Sequence, residues 1–237
     1  MKEYVSVDVE TTGLAPKQDK IIEIGAVRVR DGQIVGSFTS FVNPGRILPA
    51  HITELTGILQ EQVDEAETME SVLPAFLEFA GDLPLVGHRI LFDYGFLKRA
   101  AVNMRLDFER SGVDPLKLSR QFLSELPSRR LSALCEHFEI PIQAHRALED
   151  ARATHILYEK LLELYGTGPD RGKAFEPVPL ICKVKRESPA TKAQKERLKK
   201  LFSMHQLVPE YDVEMLTKNE ASRQIDRILA AYGSLQK

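Results

Sequence analysis

Apolar residues recur at every second position along much of the first forty residues. The stretch Tyr4–Leu14, YVSVDVETTGL, carries valines at alternate positions, and β-branched side chains at that spacing are typical of a β-strand. Two more alternating runs, Ile21–Arg30 and Gln33–Asn43, are separated by Asp31-Gly32, a dipeptide that favours a tight hairpin turn. The pattern therefore predicts three strands, of which the last two form a hairpin.

After residue 50 the apolar spacing changes from two residues to between three and four, which predicts helices. Two short strands interrupt them, one at Leu83–His88 and one at the start of VDPLKLSRQFL, whose remainder is expected to be helical. Strands first in a hairpin and then alternating with helices favour a mixed α/β sheet covered by helices. The other predicted helices are His51–Thr56, Ile58–Val63, Met69–Ala80, Phe92–Met104, Leu131–Phe138 and Ala147–Tyr165.

The last seventy residues have a different character. A stretch rich in glycine, proline and charge predicts a linker, and two short helices follow it. Both helices begin with a capping box, Thr191-x-x-Gln194 and Thr217-x-x-Glu220. Two such helices are too small for a core of their own, so we expect them to dock on the main domain or on a partner. The predicted organisation is a domain at 1–166, a linker at 167–188 and a helical module at 189–237.

The composition describes an ordinary soluble globular protein, with 43% hydrophobic and 28% charged residues among 237. No apolar run approaches the roughly 18 residues of a membrane span, and the first ten residues lack the apolar region of a secretory signal. Cys135 and Cys182 stand far apart, without metal-type spacing, which is typical of idle thiols in the cytoplasm. We therefore predict a cytoplasmic protein with no membrane partner.

The formal net charge of −2 conceals an asymmetry. From residue 167 onward there are 14 basic and 9 acidic residues, a balance of +5, which leaves −7 for the preceding part. An acidic body with a basic tail can still bind nucleic acid if metal ions neutralise some of the acids.

Four carboxylates occupy unusual places in this pattern. Asp8 and Glu10 lie on one face of the first strand, about 6.6 Å apart along it. Asp93 and Asp150 each begin the apolar stripe that their own helix should bury. Each helical aspartate alone is explained equally well by interaction with the helix dipole. Because an unpaired buried carboxylate is costly, shared divalent cations explain all four more economically.

Oxygen ligands without thiols favour two Mg²⁺ or Mn²⁺ ions over a structural zinc. Two such cations can activate water on one side of a phosphate and stabilise the leaving oxygen on the other. His145 precedes Asp150 by five residues, and an imidazole suits a general base at neutral pH. The alternative for His145 is an ordinary surface histidine.

Three segments in order, VDVETTGL, GHRILFDYGFL and HRALED, resemble the three motifs of the DEDDh (DnaQ-like) 3′–5′ exonuclease superfamily, which includes the proofreading epsilon subunit of bacterial DNA polymerase III. The similarity extends over residues 1–166, with IIEIGAV after the first motif and LPAHITELTGI before the second. It implies an RNase H-like fold with a mixed five-stranded sheet. It also implies release of nucleoside 5′-monophosphates from a 3′ end.

Carried over residue by residue, the resemblance assigns metal binding to the four acids and general-base catalysis to the histidine. The segment after the first motif acid would meet the terminal nucleotide, although a strand-ending turn explains its glycine as well. Phe92 would line the nucleotide pocket or pack in the core. The implied site consists of Asp8, Glu10, Asp93, Asp150 and His145 as catalytic residues, with Thr11, Thr12, Gly13, Leu14, His51 and Phe92 contacting substrate.

Three functions follow from these patterns. The first is a metal-dependent 3′–5′ exonuclease acting on single-stranded or frayed DNA, the second an exoribonuclease or oligoribonuclease, and the third a module that docks a polymerase or repair complex. The tail is similar to a small helical module found behind exonuclease domains in some bacterial proteins. Its basic residues either follow a phosphate backbone or form a solvated helix face: Lys183, Lys185, Arg186, Lys192, Lys195, Arg197, Lys199 and Lys200.

Overall fold

A computed structural model describes residues 1–142, 145–167 and 172–233. These residues fall into two compact units. The first contains residues 1–44 and 49–184, and the second contains residues 45–48 together with the chain from residue 185 onward. No helix in these ranges is both long enough and apolar enough to cross a membrane.

The first unit is built on a mixed sheet with the strand order β3-β2-β1-β4-β5-β6. The central strand β1 pairs antiparallel with β2 and parallel with β4. The five predicted strands are present, and the structure adds a sixth of only two residues, too short for any alternation to signal it. The strands are β1 (Glu3–Thr11), β2 (Ile21–Arg30), β3 (Gln33–Phe41), β4 (Leu85–Val86), β5 (Ser111–Val113) and β6 (Val178–Pro179).

Helices cover both faces of this sheet. The valines of β1 face a core formed with α3 and α4, while Tyr4 faces a second core formed with α5, α6 and α7. The helices lie within two residues of their predicted bounds. They are α1 (Ala50–Thr56), α2 (Gln60–Asp64), α3 (Met69–Ala80), α4 (Leu91–Asn103), α5 (Pro115–Phe122), α6 (Leu131–His137) and α7 (Ala147–Tyr165).

The described part of the stretch predicted as a linker, from residue 172 on, includes residues that pack into the first unit. Phe175, in a 3₁₀ turn at Gly172–Phe175, is buried in the core that the sheet forms with α5, α6 and α7 (the α7 core). Leu180 is buried in the core that the sheet forms with α3 and α4 (the α4 core). Their burial explains why the boundary between the units lies after residue 184.

Helix α7 runs antiparallel to β1 along one face of the sheet. The Tyr4 hydroxyl donates to Glu159 Oε1 at 2.7 Å, and the Ser6 hydroxyl donates to the carbonyl oxygen of Ala151 at 2.8 Å. Since side chains alternate along a strand, Asp8 and Glu10 lie on this same face, further toward the first turn of α7. The strand thus carries its two carboxylates to the helix end where Asp150 lies.

Gly25 of β2 lets the first turn of α7 approach the sheet closely. A Cβ atom at this position would lie 2.0 Å from the backbone nitrogen of Leu148 and 2.1 Å from the carbonyl carbon of Ala147. Both are backbone atoms, so relief requires the helix or the strand to move. Gly25 stands opposite Asp8 in the ladder, which places this close approach beside the carboxylates.

We expect Gly25→Ala to lower the free energy of unfolding by about 1–3 kcal/mol, the usual cost of forcing extra volume into a packed interface. Urea unfolding followed by circular dichroism measures the change. Gly36→Ala is the matched control, because its Cβ would meet Phe79 at an ordinary 3.5 Å and should leave stability nearly unchanged. Equal stability of Gly25→Ala and the wild type would contradict the close approach.

The second unit contains α8 (Lys192–His205), a 3₁₀ turn at Val213–Met215 and α9 (Lys218–Tyr232). Both predicted capping boxes are confirmed. The hydroxyl groups of Thr191 and Thr217 each accept from the backbone N–H of the residue three positions further along the chain, and the side chain of that residue accepts from the backbone N–H of the threonine. The expectation that these helices lack a core of their own is wrong. They bury a separate cluster because the segments before and between them also contribute: Ala190, Leu198, Leu201, Val213, Leu216, Ala221, Ile225 and Ile228.

Residues 45–48 join this second unit by backbone pairing. The Ile47 N–H donates to the carbonyl oxygen of Glu210, and the Asp212 N–H donates to that of Gly45, both at 2.7 Å. The Arg46 guanidinium forms a 3.1 Å ion pair with Glu220, whose carboxylate is nearly buried. A segment between β3 and α1 is therefore part of the C-terminal unit.

Candidate active site

The two carboxylates of the first motif lie near the C-terminal end of β1 and are partly exposed. In the antiparallel ladder Asp8 stands opposite Gly25, and Glu10 stands opposite Glu23. Directly opposite residues share one face of a sheet, so Glu10 and Glu23 point to the same side. The end of β1 therefore carries a concentration of negative charge on the face that α7 covers.

Asp93 reaches this strand from α4. Because β4 pairs with β1 at Val5 and Ser6 only, the edge of β1 beyond Ser6 has no ladder partner in β4. There the backbone N–H of Val9 donates to Asp93 Oδ1 at 3.1 Å. The short β4 thus leaves part of the edge of β1 free, and the buried Asp93 carboxylate from α4 accepts a backbone hydrogen bond there, between Asp8 and Glu10.

Asp150 and His145 lie together at the start of α7. The backbone N–H of His145 donates to Asp150 Oδ2 at 3.1 Å, and His145 has a left-handed φ of 66°. The imidazole is exposed, while Asp150 is buried and its Oδ1 has no hydrogen-bond partner within the described ranges. Ligand atoms of Glu10, His145 and Asp150 lie within 4.8 Å of one another, close enough to hold one metal ion.

Burial and mutual repulsion disfavour ionisation of these acids. Burial, reinforced by the charges of Asp93 and Asp150, raises the pKa of Asp8 well above its ordinary value. Burial also raises the pKa of Glu10 to about 8 and that of Asp93 to about 8. The pKa of Asp150 rises to about 6, again chiefly through burial, although the His145 N–H lowers it. Divalent cations would offset this repulsion, so the donor set fits hard metal ions.

These pKa values predict an unusual dependence of stability on pH in metal-free protein. A carboxyl whose folded-state pKa is raised holds its proton more tightly than in the unfolded chain, so its contribution is lost as pH rises through the folded value. We expect the melting temperature in EDTA to fall by at least a few degrees between pH 6 and pH 9, and Mg²⁺ or Mn²⁺ to reverse much of the fall. Differential scanning calorimetry measures both effects. A melting temperature that is flat over this range in EDTA would contradict the clustering of the acids.

The segment predicted to meet the terminal nucleotide is an ordered turn after β1. The Thr11 hydroxyl donates to the carbonyl oxygen of Gly13 at 2.7 Å. Asp19 braces the turn by accepting from the Ala15 N–H at 2.8 Å and from the Thr12 hydroxyl at 3.3 Å. This bracing was missed in the sequence, where Asp19 stands in a charged loop without a pattern. Leu14 is 79% exposed, so an apolar side chain projects from the turn into solvent.

The remaining two predicted contact residues are less directly connected to the acids. His51 is exposed in the first turn of α1, and within the described ranges no hydrogen bond or ion pair joins it to the four carboxylates. Phe92 is partly buried, and its ring lies 5.1 Å from that of Phe96 and 5.7 Å from the Arg89 guanidinium carbon. The structure thus brings together the five motif residues, and it packs Phe92 against the α4 core.

Glu23 is a fifth acid of this region that sequence reasoning missed. It is the third residue of β2, and only 1% of its surface is exposed. Its carboxylate contacts Arg146 and the backbone of Ala147 at the start of α7. The signal was present, because Glu23 is the one charged residue in the otherwise apolar run IIEIGAV.

A family model described as Exonuclease matches residues 5–158, more than half of the chain. The DNA polymerase III PolC-type protein of Caldanaerobacter subterraneus subsp. tengcongensis is 44% identical over 162 residues, or 68% of this chain and 12% of that protein. The PolC-type protein of Bacillus subtilis is 42% identical over 164 residues, or 68% of this chain and 11% of that protein. The chain therefore spans about one eighth of the length of these relatives.

Solved structures show the same architecture. Exonuclease X in complex with 5′ overhanging duplex DNA has a TM-score of 0.57 at 24% identity, covering 71% of this chain and 96% of that one. A 3′-exonuclease described with a histone mRNA stem-loop has a TM-score of 0.61 at 19% identity, covering 78% and 73%. At such identities the likeness shows the fold alone. It confirms the predicted RNase H-like arrangement of a mixed sheet flanked by helices.

Proposed function

Because the chain belongs to the exonuclease family, as its three motifs predict, we propose that it is a metal-dependent 3′–5′ exonuclease that shortens single-stranded or frayed DNA. One observation carries the proposal. Side chains from β1, α4 and the start of α7, far apart in sequence, meet at one end of the sheet. Four of them are acids and the fifth is an exposed histidine, the groups that metal-assisted hydrolysis of a phosphodiester requires.

Asp8, Glu10, Asp93 and Asp150 would hold two Mg²⁺ or Mn²⁺ ions. The fit rests on the oxygen donor set, on the raised pKa values of the clustered acids and on the buried Asp150 Oδ1, which has no hydrogen-bond partner among the described residues. When bound, such ions supply Lewis-acid stabilisation of the charge that develops on the phosphate oxygens.

The protein's own groups supply orientation and proton transfer. The His145 imidazole is exposed beside Glu10 and Asp150, where it can take a proton from the water that attacks phosphorus. Asp150 accepts a hydrogen bond from the backbone N–H of His145, which fixes the position of the proposed base relative to the acids. The turn at Thr11–Gly13 would hold the terminal nucleotide, and the exposed Leu14 would pack against a base.

DNA is the proposed substrate because the two relatives reported above are named as DNA polymerases. RNA is the second candidate, favoured by the fold shared with a 3′-exonuclease described with histone mRNA. The two substrates therefore have to be compared directly.

The test uses purified protein and one sequence prepared as single-stranded DNA, duplex DNA and RNA. With a 5′ label and Mg²⁺ or Mn²⁺, we expect a ladder of products shortened one nucleotide at a time from the 3′ end, and none in EDTA. Faster digestion of RNA than of DNA would assign the activity to the second candidate. Undiminished digestion in EDTA, or shortening only from the 5′ end, would overturn the proposal.

The tail is proposed to bind the nucleic-acid backbone or a polymerase or repair partner. Three of its basic residues are already paired: Lys195 and Lys199 contact the Glu214 carboxylate at 2.7 and 2.8 Å, and Lys192 lies 3.9 Å from Glu196. For Arg197 and Lys200, both exposed on α8, no ion pair is seen within the described ranges. These two are therefore the residues to test.

If the tail follows the phosphate backbone, the double variant Arg197→Ala/Lys200→Ala should weaken DNA binding several-fold. The number of phosphate contacts derived from the salt dependence of the affinity should fall by about two. Fluorescence anisotropy at several salt concentrations measures both. Lys195→Ala is the control, because the ammonium group of Lys195 is already bonded to Glu214. Unchanged affinity in the double variant would assign the tail to packing or to a protein partner.

A further inference from the structure

Glu23 is a buried acid that the proposed reaction does not use. It lies in one row across three strands, opposite Glu10 of β1 on one side and Phe41 of β3 on the other. A carboxylate with 1% exposure in an apolar strand requires full compensation by nearby donors.

The start of α7 supplies that compensation. Arg146 contacts both carboxylate oxygens of Glu23, with Nη2 at 3.0 Å from Oε1 and Nε at 3.4 Å from Oε2. The Ala147 N–H, at the first residue of α7, donates to Oε2 at 3.1 Å. The Arg146 guanidinium also lies 5.5 Å from the centre of the Phe41 ring. Glu23 and Phe41 therefore hold one arginine in a fixed orientation over the sheet.

This contact fixes more than the arginine. Arg146 is flanked in the chain by His145, and its carbonyl oxygen accepts the helical hydrogen bond from the Asp150 N–H at 2.9 Å. Gly25, two residues after Glu23 on the same face, admits the backbone of Ala147 and Leu148. Glu23 and Gly25 of β2 lie beneath α7. They thus set both the distance of the first turn of α7 from the sheet and the rotation of that turn about the helix axis.

We propose that Glu23 is a positioning residue, whose clamp on Arg146 and Ala147 holds His145 and Asp150 over Glu10. The proposal rests on the proposed function for the roles of those three residues. Arg146 and the Ala147 N–H contact both oxygens of Glu23, which favours a supporting role for Glu23 over that of a metal ligand. Groups that orient metal ligands and catalytic residues from behind commonly contribute about 10- to 100-fold to metal affinity or activity.

The experiment compares Glu23→Gln, Arg146→Gln and the double variant with wild-type protein. Glutamine keeps the volume and an oxygen that can accept from Ala147, so Glu23→Gln tests the clamp on Arg146 with little risk to folding. Glu3→Gln is the matched control, because Glu3 pairs with Arg30 at 3.0 Å between the same two strands, at their far, exposed end. Mn²⁺ binding is followed by electron paramagnetic resonance, and kcat and KM are measured on labelled DNA.

We expect each single variant to bind Mn²⁺ about 10- to 100-fold more weakly and to lose kcat by a similar factor, with little change in KM. The double variant should be no worse than either single variant, since the two residues act as one unit. Loss of Mn²⁺ affinity in Glu23→Gln but not in Arg146→Gln would make Glu23 a ligand and overturn the proposal. A lower melting temperature with unchanged Mn²⁺ affinity and unchanged kcat would also overturn it, because that is a purely structural role. If wild-type protein digests no nucleic acid, the proposed function fails, while the Mn²⁺ titration still decides whether Glu23 positions the site.

Discussion

Asp150→Ala is expected to lower kcat by about 10³-fold or more with either Mg²⁺ or Mn²⁺. Cations of this kind supply several kcal/mol of transition-state stabilisation, and each 1.4 kcal/mol corresponds to a factor of ten in rate. Asp150 carries a second role as well, because its Oδ2 accepts the backbone N–H of His145. Its removal would therefore disturb both the proposed metal ligands and the proposed base. Single-turnover digestion of 5′-labelled DNA measures the loss.

Glu149→Gln provides the control for this change. Glu149 is the neighbouring acid on α7, it is partly exposed, and it pairs with Arg152 at 3.7 Å. We expect it to retain nearly full activity, because a surface ion pair contributes little. Asp8→Ala should behave as Asp150→Ala does. Full activity in either aspartate variant would contradict a shared metal site.

His145→Ala is expected to lower kcat by about 10²–10⁴-fold near neutral pH, the usual contribution of a general base. Mn²⁺ affinity should stay close to that of the wild type, because the four acids are retained. The measurement matters since the His145 imidazole lies within 4.8 Å of ligand atoms of Glu10 and Asp150, which would also suit a metal ligand. Steady-state kinetics and an Mn²⁺ titration on the same protein separate the two roles.

His137→Ala is a suitable control, because His137 is an exposed histidine at the end of α6 whose ring packs on Phe138. It should leave both measurements unchanged. If His145→Ala instead loses Mn²⁺ binding in parallel with activity, His145 is a ligand. Unchanged activity in His145→Ala would make it a surface residue and leave the base unassigned.

Much of this arrangement could be predicted because it depends on local sequence patterns. The alternation around Asp8 and Glu10 places them on one face of a strand, whatever the rest of the chain does. Asp93 and Asp150 could be placed because helical spacing puts each at the head of a buried stripe. The same periodicity located the helices within two residues. These predictions depend on neighbours only a few positions away.

Other features depend on distant partners. Glu23 stands out as a single charge in an apolar run, but its role could not be assigned from that, because the role comes from Arg146, more than a hundred residues later. The two-residue β6 forms only by pairing with β5, and its proline argues against a strand. The core of the second unit was missed because it includes residues outside the two helices. In each case the deciding contact lies between segments that no short window contains.

The pairing of residues 45–48 with the second unit has a consequence for the order of folding. Gly45 and Ile47 leave the ribosome long before Asp212 and Glu210, the residues to which their backbones bond. Closing so long a loop is slow relative to local helix formation. We therefore expect the second unit to be completed only after α9 has been synthesised, as a late cooperative step. A nascent chain arrested before residue 210 would leave the Gly45 carbonyl and the Ile47 amide to water, exposed to proteases.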